Sequence, residues 1–189
     1  SRFVMGADTF SHDVVKDNRR SDGAAVVKMR LDPHTNSPYN NSFVCLYKYR
    51  AEAASIQYED MLKTAVYFGC QILFESNKNN WRDYFISRGY EAFLMKLPAY
   101  PDYGMPANKQ THALLVEVTQ EYIYEYCDRV WFKDCITEWL EFDPNETTPF
   151  DVAMAAGYTL IADMKHVLKR PTSQLKELSY YGFSKSKIA

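Results

Sequence analysis

The chain has 189 residues, of which 47% are hydrophobic and 15% aromatic, and its formal net charge is −2. This length suits one domain, or one domain with a tail, and the apolar content excludes an intrinsically disordered chain. The charge balance excludes a protein that binds nucleic acid through an overall positive charge. Any DNA contact therefore has to come from local patches or from bound cations.

The cysteines and the hydrophobic pattern point to a protein of a reducing compartment. Cys45, Cys70, Cys127 and Cys135 have no CxxC spacing and no histidine in zinc-ligand register, so reduced thiols are expected. No apolar run approaches the roughly 20 residues that a membrane span needs, and the first residues lack the charged and apolar regions of a signal peptide. Because the chain opens inside a predicted strand, we expect it to be a fragment of a longer protein.

The first fifty residues predict three strands. The stretch Phe3–Phe10 begins apolar and reaches the carboxylate of Asp8 through two small residues. Two later runs, over 24–31 and 42–50, have the apolar and alternating patterns of strands. A charged loop over 11–23 and a later turn join the three strands into an antiparallel meander.

After residue 50 helical and extended segments alternate. The predicted segments are a helix from a cap at Ser55 to Gly69, a strand over Gln71–Glu75, a helix from Asn79 to Gly89, and a strand over 92–97. Because helical segments connect these strands, the fourth and fifth strands are expected to run parallel to the first.

A loop rich in Pro and Tyr over 98–108 precedes the last helices. The expected helices are 109–126, one from a cap at Asp134 to 142, and one that Thr148 caps, Pro149 opens and residue 169 ends. The whole order predicts an α/β fold with a mixed sheet, in which three antiparallel strands come first and parallel strands follow, with helices on both faces. We expect one domain over 1–169 and a polar C-terminal tail over 170–189.

Three carboxylates from distant segments could meet in this topology. Asp8 and Glu75 each stand where a buried strand meets polar residues, and neighbouring parallel strands bring such ends to the same edge of a sheet. Asp151 opens the last helix, whose next residues are mostly small and would let the helix lie close to the sheet. Adjacent carboxylates repel unless a cation lies between them, so a pair of Mg²⁺ or Mn²⁺ ions suits this set.

Each of these carboxylates also has a local interpretation. Asp8 could be a turn residue that opens the following loop, and Glu75 could be a surface acid at a strand end. Asp151 could cap its helix together with Thr148, or favour the helix dipole. Further candidate ligands are Asp13, Asp163 and His166.

The ordered set of segments resembles the C-terminal nuclease domain of the large terminase subunit of tailed bacteriophages. The segments are Phe3–Asp8, Phe74–Asn77 before an amphipathic helix, the helix start at Lys109, Glu138–Phe142 before a loop, and Asp151–Ala156. The resemblance covers most of residues 3–166 and implies a ribonuclease-H-like fold. It implies that Asp8, Glu75 and Asp151 are the metal-binding acids of a two-metal endonuclease, with Asp8 bridging both ions.

The resemblance also implies a setting and partners. The enzyme would cut concatemeric viral DNA during genome packaging in the cytoplasm of an infected bacterium, with double-stranded DNA, a portal protein and a small terminase subunit as partners. Candidate DNA contacts are Arg19, Arg20, Asn77, Lys78 and Lys109, although each basic residue could equally be a solvated surface charge. No Walker A pattern occurs, so an N-terminal ATPase domain is expected outside this chain.

Two alternatives remain open. One is another nuclease of the same fold, such as a junction resolvase or a transposase-like enzyme. The other is a non-catalytic domain that docks a phage or host protein, for which the aromatic loop Tyr100–Tyr103 would be suitable. A proofreading-type exonuclease is disfavoured, because such enzymes need a second acid two residues after the first and Phe10 stands there.

Overall fold

The computed structural model describes residues 1–9, 22–31, 35–77 and 79–167. The strands in these ranges are β1 (Phe3–Asp8), β2 (Gly23–Met29), β3 (Phe43–Tyr49) and β4 (Ile72–Phe74). The helices are α1 (Ala54–Phe68), α2 (Asn79–Ser87), α3 (Lys109–Tyr126), α4 (Lys133–Glu141) and α5 (Asp151–Val167). No helix within these ranges combines the length and the apolar character needed to cross a bilayer.

The four strands form one mixed sheet in the order β3-β2-β1-β4. The pairs β1–β2 and β2–β3 are antiparallel, whereas β1 and β4 are parallel. The antiparallel meander and the parallel fourth strand are therefore as predicted. The parallel pairing follows from α1, which carries the chain back across the sheet between β3 and β4.

Helices cover both faces of this sheet, as predicted. Successive strand residues point to opposite faces. Val4 and Val26 belong to a hydrophobic cluster that α3, α4 and α5 complete. Met5 and Val27 belong to a second cluster, which α1 and α2 complete. The even-numbered residues of β1 and β2 thus face α5.

Helix α5 packs directly on the backbone of β1 and β2. The Thr159 hydroxyl oxygen lies 2.9 Å from the Val26 carbonyl oxygen and 2.8 Å from that of Ala155, four residues earlier in the helix. At Gly6 an added Cβ would lie 2.6 Å from the Thr159 hydroxyl oxygen, and closer still to backbone atoms of α5. The expectation that small residues bring this helix close to the sheet is confirmed.

The predicted fifth strand over 92–97 is wrong. Residues Glu91–Phe93 form a 3₁₀ turn, and Leu94 makes only an isolated parallel bridge to Ile72. Lys96 then bridges to the following loop instead of extending the pairing with β4. The first residues of 92–97 lie in the 3₁₀ turn, and the later ones pair with the following loop, so 92–97 and β4 form no continuous ladder of hydrogen bonds.

The loop over 98–108 returns to the sheet beside β4. The Met105 amide donates a hydrogen bond of 2.9 Å to the Phe74 carbonyl, and the Ser76 amide donates one of 2.8 Å to the Met105 carbonyl. Tyr103 donates its hydroxyl proton to Glu91 at 2.7 Å. The loop therefore forms the edge of the sheet next to Glu75.

Two predicted helix caps are wrong. The N-cap of α1 is Ala53 rather than Ser55, and the N-cap of α4 is Phe132 rather than Asp134. Neither N-cap side chain makes a capping hydrogen bond, so tertiary packing sets these helix starts. The predicted end of α1 is confirmed, because Gly69 adopts the left-handed C-cap conformation with φ of 59°.

Cys127 is expected to be the one rapidly reactive thiol of the native protein. All four cysteines are free, and Cys127 is exposed. Burial raises the pKa of Cys45, and raises the pKa values of Cys70 and Cys135 to about 12. Because the thiolate is the reactive form, these three should react slowly at neutral pH.

A chromogenic disulfide reagent should therefore titrate one thiol within minutes in the native protein and all four after denaturation. The variant Cys127→Ser serves as the control and should lose the rapid phase. A rapid phase that survives in this variant would contradict the slow reaction expected of the other three thiols.

Candidate functional site

Asp8 and Glu75 lie next to each other at one edge of the sheet. In the parallel pair β1–β4, Ala7 pairs with Phe74, and the two acids follow these residues directly. Asp8 has the same parity as Val4, and Glu75 the same parity as Leu73, so both positions belong to the face that α5 covers. The two positions therefore lie side by side at this edge of the sheet, as the topology predicted.

The pair lies in surroundings of low polarity. Asp8 is 6% exposed, Glu75 is half-buried, and Tyr158 of α5 is 2% exposed. Burial raises the pKa of Tyr158 well above its ordinary value, and the charges of Asp8 and Glu75 raise it further. The phenol is therefore neutral beside two acids, and it adds no negative charge to the site.

Asp151 approaches the same edge from the helix side. It is the first residue of α5, and one carboxylate oxygen accepts the Asp22 amide at 2.7 Å. Asp22 immediately precedes β2, and Ala24 of that strand pairs with Asp8. The helix therefore starts at the end of the sheet where Asp8 and Glu75 stand, and the positive end of its dipole faces this acidic edge.

The predicted start of α5 at Thr148 and Pro149 is wrong. The Phe150 amide donates to the Thr147 carbonyl at 3.0 Å in a preceding turn. The first helical bond then joins the Met154 amide to the Phe150 carbonyl at 2.9 Å. Phe150 thus occupies the N-cap position. The local interpretation of Asp151 as the capping-box partner of Thr148 does not hold, because its carboxylate binds the amide of Asp22 instead.

Glu138 is a buried acid at this site that the sequence analysis did not single out. One of its oxygens lies 2.8 Å from Lys48 Nζ, and the other accepts the Ala153 amide at 2.9 Å. Burial alone would lower the pKa of Lys48, but the hydrogen bond and charge of Glu138 raise it above its ordinary value. The sequence signal for this contact is Lys48, which lies on the same face of β3 as Leu46, and Leu46 packs against the hydrophobic cluster.

The predicted DNA contacts are only partly described. Asn77 and Lys109 are exposed, and Lys109 opens α3 behind an Asn108 side chain that accepts the amides of Gln110 and Thr111. Arg19, Arg20 and Lys78 lie outside the described residues, as do Asp13, the tail over 170–189 and the side chain of His166. The contacts to DNA therefore remain predictions.

Asp163 is not a ligand of this site. It lies on α5 twelve residues after Asp151, which is about 18 Å along the helix axis at ~1.5 Å per residue. Its carboxylate forms a salt bridge with Lys28 and another of 3.1 Å with Arg30. Burial lowers the pKa of Lys28 and the charge of Asp163 raises it, so Asp163 serves to neutralise a buried lysine at the opposite end of the helix.

The donors at the edge of the sheet fit hard divalent cations. Carboxylate oxygens are the ligands that Mg²⁺ and Mn²⁺ prefer, and adjacent acids such as Asp8 and Glu75 are stabilised by a cation between them. Within the described ranges, no three His, Cys, Asp or Glu side chains already stand at a spacing that would hold an ion.

Comparison of the chain with models of known protein families and with curated proteins gives no match. The function is therefore inferred from the geometry of the site and from the resemblance of its segments.

Proposed function

We propose that this chain is a divalent-metal-dependent DNA endonuclease with a ribonuclease-H-like fold, similar to the nuclease domain of a large terminase subunit. The observation that carries the proposal is the placement of Asp8 and Glu75 directly after the paired residues Ala7 and Phe74 of neighbouring parallel strands. Both positions face the helix that begins with Asp151. The strand order β3-β2-β1-β4 and the α1 crossover support the fold assignment.

The chain's own residues would hold two Mg²⁺ or Mn²⁺ ions. Asp8, on the central strand of the site, would contact both ions, and Glu75 and Asp151 would each contact mainly one. Bound ions of this kind activate a water for in-line attack on a phosphodiester and stabilise the leaving oxygen. The neutral Tyr158 hydroxyl lies close to both sheet carboxylates and limits the negative charge around them.

DNA would approach the acidic edge only with cations in place, because a phosphate backbone is repelled by unneutralised carboxylates. Arg19, Arg20, Lys78 and Lys109 are the proposed phosphate contacts, and Asn77 lies two residues after Glu75. By resemblance, the substrate is double-stranded viral DNA in an infected bacterium. A portal protein and a small terminase subunit are the proposed protein partners.

The first test is metal-dependent cleavage of supercoiled plasmid by the purified chain. Nicked and linear products should form with Mn²⁺ or Mg²⁺ and should disappear in excess chelator. Metal binding should also raise the melting temperature, because a ligand at a hundred times its Kd stabilises the folded state by about 2.7 kcal/mol. Absence of both cleavage and a thermal shift at millimolar Mn²⁺ would contradict the proposal and favour a docking domain.

Cleavage rates on a four-way junction and on a linear duplex with the same arm sequences distinguish a terminase-like nuclease from a junction resolvase. A terminase-like enzyme should cut both substrates at similar rates. Strong preference for the junction would assign the same metal site to a resolvase instead.

A further inference from the structure

An ion pair between the buried Glu138 and the partly exposed Lys48 lies at the start of α5 and links three elements. Lys48 comes from β3, Glu138 from α4, and Ala153 from the first turn of α5. Glu138 is 6% exposed and uses both oxygens, one toward Lys48 at 2.8 Å and the other toward the Ala153 amide at 2.9 Å. None of these residues belongs to the proposed ligand set.

The ion pair links α5 to the cross-strand neighbours of Asp8 in the sheet. Across the sheet, Ala24 pairs with Lys48 on one side and with Asp8 on the other. Ala153 follows Asp151 by two residues in the same helical turn. The contact between Lys48 and Glu138 therefore links the residues beside Asp8 in the sheet to the helical turn of Asp151.

The N-cap residue of α5 offers the Ala153 amide no side-chain acceptor in place of Glu138. The first amides of a helix have no partner within the helix, and Phe150 at the N-cap position has no side-chain acceptor. The oxygen of Asp151 that is hydrogen-bonded to Asp22 points across to β2. Because the Lys48 side chain is 31% exposed, the ion pair itself contributes little stability, and its role follows from the elements that it joins.

We infer that Lys48 and Glu138 are positioning residues that set the place of Asp151 relative to Asp8. The inference rests on the proposed function for its consequence, which is the geometry of the metal site. Loss of Glu138 releases the Ala153 amide and the first turn of α5. Asp151 then loses its fixed place against the sheet, and the affinity for metal falls.

The test compares the two ends of the same helix. The variants Glu138→Ala and Glu138→Gln act at the start of α5, and Asp163→Asn removes a strand-lysine partner at its far end. Calorimetry should show that Glu138→Ala weakens Mn²⁺ binding by about ten- to a hundredfold, the range for groups that orient a ligand. Asp163→Asn should leave the Mn²⁺ affinity within about twofold of the native protein, even if its melting temperature falls as far as that of Glu138→Ala. Glu138→Gln retains an oxygen for the Ala153 amide and should restore part of the affinity.

Hydrogen exchange gives a readout that needs no metal. The Asp22 amide reports on Asp151, because it donates to that carboxylate at 2.7 Å. Glu138→Ala should lose protection at both Ala153 and Asp22, whereas Asp163→Asn should keep both. Unchanged protection of the Asp22 amide in Glu138→Ala would overturn the positioning role, as would equal losses in Asp163→Asn. A native protein that binds no Mn²⁺ would instead refute the proposed function.

Discussion

The substitution Asp8→Asn is expected to abolish metal-dependent DNA cleavage. Asp8 is the most central of the three acids, since β1 lies between β2 and β4. An amide of the same shape cannot neutralise two cations, so the cleavage rate should fall by at least about a hundredfold, the upper end of the loss seen for outer-shell partners of a metal. The fold should persist, because the substitution keeps the side-chain volume and removes one charge from beside Glu75. Plasmid cleavage and thermal unfolding, measured on the same preparation, check both parts.

A matched control is Asp83→Asn on α2. This carboxylate is 63% exposed, and its contact with Arg82 is a surface ion pair. The control should cleave DNA at the native rate. Cleavage by Asp8→Asn within a few-fold of the native protein would refute the assignment of Asp8.

Asp151→Asn tests the third acid in the same assay. An asparagine keeps an oxygen that can accept the Asp22 amide, so the helix start should remain in place. If Asp151 only anchors the helix, this variant should cleave as the native protein does. If it is a ligand, cleavage should be lost while the melting temperature changes little.

The substitution Gly6→Ala is expected to lower the free energy of unfolding more than any other substitution named above. An added Cβ would lie 2.6 Å from the Thr159 hydroxyl oxygen, and closer to the Thr159 amide nitrogen and the Ala155 carbonyl oxygen. Because single backbone atoms of a helix cannot shift without moving the helix, the whole of α5 would have to move away from β1. Overpacking of this kind costs about 3 kcal/mol or more. For a chain of this size the melting temperature should fall by about 6–12 °C.

Gly89→Ala is the matched control for Gly6→Ala. Gly89 has φ of 79° and no atom within 4 Å of an added Cβ, so only backbone strain opposes an alanine there. This strain is worth about 1–2 kcal/mol. Urea unfolding of the two variants should therefore differ clearly, with Gly6→Ala the less stable. Equal stabilities would show that α5 is not held as closely against β1 as described.

Much of the fold could be predicted because the relevant signals are local. The apolar run in Phe3–Asp8 and the helical spacing in 109–126 are properties of single elements, and both elements form as predicted. The parallel pairing of β1 with β4 follows from the helix that connects β3 to β4. That pairing is sufficient to bring Asp8 beside Glu75.

Other features depend on partners that no local pattern shows. The strand predicted over 92–97 fails because its residues bond to a 3₁₀ turn and to the 98–108 loop. Helix α5 begins after Thr148, and the Ala153 amide in its first turn bonds to Glu138, a tertiary acceptor from α4. Asp163 resembled a possible ligand in the sequence, yet it neutralises Lys28 across the sheet.

The sequence by itself determined the sheet, its helical layers and the shared edge of Asp8 and Glu75, since periodicity and connection type act along the chain. Only the tertiary structure decided the place of Asp151. Its carboxylate binds an amide 129 residues away, and its helical turn is held by the ion pair of Glu138 and Lys48. Such contacts join segments that are distant in the sequence and meet only in the folded chain. The local sequence around these residues therefore gives no sign of their contacts.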